Sequence, residues 1–264
     1  MSSPLVVVWL LLYMLAMPIR AESPATGSTD DSIRIHLGAE DSWPPYSDEL
    51  GQGISTNIIK AAFAKSGLSP TFQIMPYSRV LHDLASGKID GGYNVTLQTS
   101  TKDKYLFGEI PLLTAEAYWF FRPKTFTKIQ SIEDVPATFR VGVIRDFEYG
   151  NIYDSHRHRF VEVRVTQQSQ LIRMLKQGRI DAAIMFDQEA IHALKRMQWS
   201  DDTFEKRFLN HQGDVYLAFS AKSPRARWLA QQLDKGLKEL KESGEYDQLA
   251  NIADSKPTKT TNQP

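Results

Sequence analysis

The chain predicts a two-lobed α/β architecture, and three observations support it. The phrase "LASGKIDGGY" at 84–93 returns as "LKQGRIDAAI" at 175–184, with Leu, Gly, a basic residue, Ile-Asp and two tiny residues at matching offsets. Each copy closes the same order of elements: strand, helix, strand, helix, strand. Two aromatic, β-prone runs, Ala115 to Arg122 and Asp214 to Ser220, stand where the chain would leave the first unit and finish the second. A strand–helix–strand–helix–strand unit written twice implies two lobes with parallel sheets and right-handed crossovers. Two connecting strands would then form a hinge around a cleft.

The elements follow in order. "IRIHLG" (33–38) is β-branched, and "GISTNIIKAAFAKS" (53–66) has helical spacing through Ile54, Ile58, Ala61 and Ala62. The strand "TFQIM" comes next, then a helix from Ser78 to Ser86 closed by Gly87, then the strand "KIDGGYNV". In the second unit "FRVGVI" is the strand, a weaker helical segment runs from Tyr149 to Ser155, and "FVEVRV" follows. A helix from Gln167 to Gln177, closed by Gly178, leads into "RIDAAIM". Glycine at each helix end supplies a left-handed cap that a β-carbon disfavours. After Ser223-Pro224 a long helix, Arg225 to Ser243, carries the apolar stripe Leu229, Leu233, Leu237 and Leu240, which reads as core packing. Packed back on the first lobe, it makes the chain cross between lobes twice.

Composition narrows the function. The 264 residues are 42% apolar, enough for a substantial core, and 31 basic residues balance 31 acidic ones. Such a balance gives no global field for nucleic acid or anionic membrane. With no cysteine, disulfides, thiolate metal sites and a cysteine nucleophile are excluded. The apolar run Leu5 to Met17 is short for a membrane span and reads as the core of a signal peptide ending at Ala21. No basic residue precedes that run and Ile19 is not small, so an uncleaved anchor is the alternative. Residues 22–31 and 253–264 lack apolar patterning and read as a loose leader and tail. Export to the periplasm follows from either reading of the amino terminus.

Nearly the whole of the expected mature chain resembles the bacterial periplasmic solute-binding proteins of family 3, the polar-amino-acid receptors of ABC importers. The resemblance rests on an ordered set: "EDSWPPYS" (40–47), "MPYSRVLHDLASGKIDGG" (75–92), "TSTKDKYLFGEIPL" (99–112), "VGVIRDFEYG" (141–150), "LIRMLKQGRIDAAI" (171–184) and "LKELKESGEYDQL" (237–249). It implies a type II two-lobed fold with two β-strand hinges and a ligand cleft between the lobes. The expected lobe one is 32–115 plus 221–252, and lobe two, with both hinge strands, is 116–220. It further implies a monomer that binds a small polar, amino-acid-like solute without cofactor or metal. The client would be an ABC permease or, alternatively, a membrane sensor.

Ligands of open α/β sheets bind beyond the carboxyl ends of the strands, where helix amino-termini present N–H groups. The loop after the first strand offers Glu40 and Asp41 for an amino group, and Trp43 and Tyr46 as an aromatic wall stiffened by two prolines. Arg79 at the start of a helix suggests a nearby anion or acidic neighbour. The resemblance places Thr99 and Lys102 where the family has a Thr and a carboxylate-binding Arg. Lysine keeps that charge but loses the bidentate fork. In "IRDFEYG", Asp146 would attract an amino group unless Arg145 neutralises it. Asp187 lies one residue beyond the family's ammonium-binding Asp. The same fold occurs in prephenate or arogenate dehydratases, which keeps an enzyme reading open. Against it, no nucleophile signature and no phosphate loop of the P-loop type is present. "HRH" at 156–158 has no acidic partner at metal-site spacing.

Overall fold

The computed structural model describes residues 34–250, so the expected signal peptide, leader and tail lie outside the described residues. The first unit comprises β1 (Ile35–Glu40), α1 (Ile54–Ala64), β2 (Pro70–Met75), α2 (Tyr77–Ser86) and β3 (Gly91–Thr96). The second comprises β6 (Arg140–Ile144), α3 (Gly150–His156), β7 (Val161–Val165), α4 (Gln168–Lys176) and β8 (Ala182–Phe186). Between and after them run β4 (Tyr105–Phe107), β5 (Leu113–Phe121), α5 (Asp187–Arg196), β9 (Glu205–Ser220), α6 (Ala226–Ser243) and α7 (Glu245–Ala250).

The strands follow the order β2-β1-β3-β9-β5-β8-β6-β7, with β4 on β9. β1 is parallel to β2 and β3, and β6 is parallel to β7 and β8. β9 is antiparallel to β3 and β5, and β5 is antiparallel to β8. Each lobe is therefore a parallel triplet closed by an antiparallel strand, not a wholly parallel sheet. Hydrogen bonding also runs unbroken from lobe to lobe. The reason is β9, whose 16 residues pair with β5 from Glu205 to Val215 and with β3 from Val215 to Phe219. The sequence reading recognised only the second half of this strand.

The repeated phrase does the same work in both lobes. Gly87 and Gly178 take left-handed φ of 83° and 69°. The next residue donates back into the helix each time, Lys88 N to Asp83 O at 3.0 Å and Arg179 N to Met174 O at 2.9 Å. Asp90 and Asp181 then clamp the first strand of their own lobe. His36 N donates to the Asp90 carboxylate at 3.0 Å, and Arg140 N to that of Asp181 at 2.9 Å. The tiny pairs Gly91-Gly92 and Ala182-Ala183 lie beside Leu37-Gly38 and Val141-Gly142 in identical parallel register. The facing Gly38 and Gly142 must be small because the isoleucine of each phrase packs over them. A β-carbon on Gly38 would come within 2.8 Å of Ile89, and one on Gly142 within 2.4 Å of Ile180.

The long helix returns to the first lobe. Its Leu229, Leu233, Leu237 and Leu240 are buried, and Gly236 lets α6 approach α1 so closely that a β-carbon would sit 1.9 Å from Ala62 O. Lys65 pairs with Glu245 at 2.8 Å, and the Tyr246 hydroxyl donates to Leu112 O at 2.6 Å. No helix among the described residues is long and apolar enough to cross a membrane.

Candidate functional site

The two lobes face each other across a cleft of about 710 Å³, lined on one side by Asp41, Pro44 and Tyr77 and on the other by Arg145, Gln168 and His192. Adjoining it is a small cavity of about 10 Å³ lined by Glu40, Trp43, Tyr77, Asn94, Phe147 and Glu148, among others. Tyr77 and Phe147 line both spaces. Their rings meet edge to face at 5.5 Å, so this pair stands between the cavity and the cleft.

Several hydrogen bonds tie the lobes together around the cavity. The Tyr77 hydroxyl donates to Glu148 at 2.7 Å. Gln98 accepts from Gly150 N at 3.0 Å and donates to Asp154 at 3.1 Å. Thr99 N donates to the Asn151 side chain at 3.2 Å. Trp43 of the first lobe packs against Phe186 of the second at 5.1 Å and against its neighbour Tyr46 at 4.4 Å.

Three carboxyls are buried in this cluster. Glu40 and Glu189 are each 1% exposed and Glu148 is 8%. Burial and then the charge of Glu189 lift Glu40 well above the ordinary carboxylate range, with Asn94 opposing as a donor at 3.4 Å. Burial likewise raises Glu148, to about 8, although the Tyr77 hydroxyl stabilises its ionised form. Glu189 is raised by burial, opposed only by the Trp43 indole N–H, which lies outside hydrogen-bonding geometry. One oxygen of Glu40, both of Glu189, the Asn94 carbonyl and the Trp43 N–H have no hydrogen-bond partner. Burial of unpaired polar groups is costly, so a cluster of this kind needs a reason.

The structure brings some of the expected residues to the cavity and leaves others away from it. Glu40 is the last residue of β1 rather than part of the loop after it; Trp43 and Tyr46 come from that loop, and Asp41 lines the open cleft. Trp43 is at the cavity, while Tyr46 packs behind it beside Phe186 and Asp187. The loop is tight, with Tyr46 N and Ser47 N both donating to Trp43 O at 2.9 and 3.0 Å. Arg79 does not reach the cavity. Its guanidinium pairs with Asp83 one turn along α2, at 2.9 Å, which supplies the acidic neighbour its position suggested. Lys102 is exposed, and Thr99 contributes a backbone N–H to the cross-lobe contacts. Arg145 lies at the rim of the cleft. Asp146, at φ 65°, lines a separate surface recess. Asp187 is held by Lys206 at 2.9 Å.

Two of the helix ends expected to be free at the strand edges are engaged, while the starts of α2 and α4 line the open cleft. The first N–H groups of α1 donate to Pro45 O and Tyr46 O, both at 3.1 Å, and that of α3 to Gln98. The sequence reading missed Tyr77, Asn94, Glu148, Glu189 and Phe186. Glu148 carried a signal, since it follows Asp146-Phe147 in a loop already singled out. Glu189 did not, because α5 was not recognised as a helix.

No family profile matches the sequence, and no curated protein matches it in sequence. Solved structures do match in fold. A histidine kinase sensor domain with similarity to periplasmic binding proteins aligns at TM-score 0.71 and 19% identity, over 83% of this chain and 95% of that one. An amino acid ABC transporter substrate-binding protein from Streptococcus pneumoniae, bound to L-arginine, aligns at 0.67 and 22%, over 82% and 92%. An ancestral amino-acid-binding protein, a precursor of cyclohexadienyl dehydratase, aligns at 0.67 and 19%, over 82% and 93%. The chain has the periplasmic-binding-protein-like fold, and at these identities the likeness establishes the fold alone.

Proposed function

We propose that this protein captures a small polar solute in the periplasm, reversibly and without chemical change, between lobes divided near Ala115 and Ala221. The observation that carries the reading is a small cavity lined from both lobes, with the bonds Tyr77–Glu148, Gln98–Gly150 and Thr99–Asn151 joining the lobes. A solute touching both walls favours the conformation in which the walls meet, so binding and closure are one equilibrium. Delivery to an ABC permease is the first reading of the client, supported by the likeness to the transporter protein. Presentation to a membrane sensor is the second, supported by the likeness to the kinase sensor domain.

Thermal-shift and calorimetric screening of amino acids, amines and small organic acids tests the capture. A ligand at one hundred times its dissociation constant should add about 2.7 kcal/mol to stability. Melting curves that stay flat across the whole panel count against capture. The likeness to a dehydratase precursor, together with a buried carboxyl held near 8, gives the enzyme reading its test. On the capture reading prephenate and arogenate are recovered unchanged after incubation, and turnover of either overturns it. Uptake lost on gene deletion supports the importer, and a lost transcriptional response supports the sensor.

A further inference from the structure

Resting on the reading of this cleft as a solute site, we propose that its ligand is a small organic cation, an amine that carries no carboxylate. Its ammonium head would sit between Glu40 and Glu148, with Glu189 behind Glu40, against the rings of Trp43, Tyr77 and Phe147. The charge of the small cavity points one way. Its lining holds two carboxyl side chains and no lysine, arginine or histidine, and Glu189 acts on Glu40 from behind.

The unpartnered atoms point the same way. Four of the five unpartnered atoms of the cluster are oxygens, one from Glu40, two from Glu189 and one from Asn94, and those of the carboxyls become acceptors once an arriving cation ionises them. The Trp43 N–H is the remaining one and a donor. An ammonium head supplies donors to match the excess of acceptors, and its charge replaces the missing counter-ion of a buried carboxylate. Aromatic faces add cation–π attraction, which grows when the cation is desolvated. Trp43 and Phe147 already meet at 6.5 Å in such a lining.

A carboxylate on the same ligand has no partner inside. Arg79 is paired with Asp83, and the ends of α1 and α3 donate to protein oxygens. Basic groups lie outside the cavity: Arg145 and Arg196 line the open cleft with Asp41, Asp48 and Glu49, and Lys104, Arg157 and Arg164 line the recess that Glu148 and Phe147 also border, where Arg157 and Arg164 are already paired with Glu162. A metal ion fits less well than an organic cation. Among the described residues no group of three or more potential ligands is arranged to hold one, and rings make up much of the wall. At about 10 Å³, the cavity as closed is about one water-sized sphere. A head group fits that scale only as the lobes part slightly, with the ligand's remainder directed past Tyr77 and Phe147 into the cleft.

Matched pairs that differ only by the carboxylate test this. Agmatine against arginine, and cadaverine against lysine, are titrated calorimetrically into the purified protein at pH 8, with choline as a quaternary probe. The expected result is at least tenfold tighter binding of the amine in each pair, and a loss of tenfold or more in Glu189→Gln. Glu40→Gln serves as a second variant, and circular dichroism checks that both fold. Equal or tighter binding of the amino acids overturns the amine assignment and leaves solute capture standing. Binding of neutral solutes alone also overturns it, since the three carboxyls would then act as uncharged donors. If no probe binds and none shifts the melting temperature, the amine assignment fails. A flat response to the wider amino-acid and organic-acid panel as well would take the capture reading with it.

Discussion

Glu148→Gln isolates the proton linkage of the buried carboxyl cluster. Glu148 is 8% exposed and its carboxyl is raised from 4.5 to about 8, chiefly by burial. Around it stand the Tyr77 hydroxyl, Asp154, and the carboxyl of Glu40 across the cavity. The folded chain thus holds a proton that the unfolded chain releases above about 4.5. This contribution to stability is complete below that pH, declines as the pH rises, and is gone once it has passed about 8. At 1.36 kcal/mol per pH unit the full span is ~5 kcal/mol, of which roughly 3 to 4 kcal/mol disappears between pH 5 and pH 8. That figure is an upper bound, because parting of the lobes hydrates the carboxyl before the chain unfolds. Glutamine keeps the shape, can accept the Tyr77 hydrogen bond and has no proton to release. Urea denaturation at pH 5, 6, 7 and 8 should therefore show the wild type losing more stability than the variant, with the gap widening toward pH 8. Small-angle scattering at each pH reports whether the lobes have parted. Equal slopes for the two proteins, with the lobes closed throughout, would show that Glu148 is not held protonated and would refute the reasoning.

Three further outcomes are expected. Tyr77→Phe removes the only side-chain hydrogen bond to Glu148 shown in the described residues, and should cost about 1 to 3 kcal/mol in chemical denaturation above neutral pH; an unchanged midpoint would mean the bond is dispensable. Gly236→Ala places a β-carbon 1.9 Å from Ala62 O, so α6 must move off α1, and calorimetry should show a loss of more than about 2 kcal/mol. Asp90→Ala and Asp181→Ala remove equivalent clamps and should each cost about 1 to 3 kcal/mol; a large loss in one with none in the other would break the equivalence of the two phrases.

The sequence by itself determined the order of the elements and the doubling of the unit, because both depend on short-range rules. Helical spacing, a glycine after each helix and an Ile-Asp followed by tiny residues act within about ten positions of one another. Their consequences, Asp90 on His36 and Asp181 on Arg140, came out alike in the two lobes. Glu40 and the loop holding Trp43 were legible for a similar reason, since that loop must follow the first strand. Only the tertiary structure decided which charges are inside. Arg79 and Asp187 found partners at 2.9 Å, on α2 and on β9 respectively, so neither the expected cation nor the expected acid lines the cavity. Glu148 and Glu189, from different elements of the second lobe, were carried toward Glu40 of the first. Burial raises a carboxyl only when the opposite wall excludes water, and that wall is formed by residues distant in the chain, Tyr77 lying 71 positions from Glu148, so no local pattern could announce it.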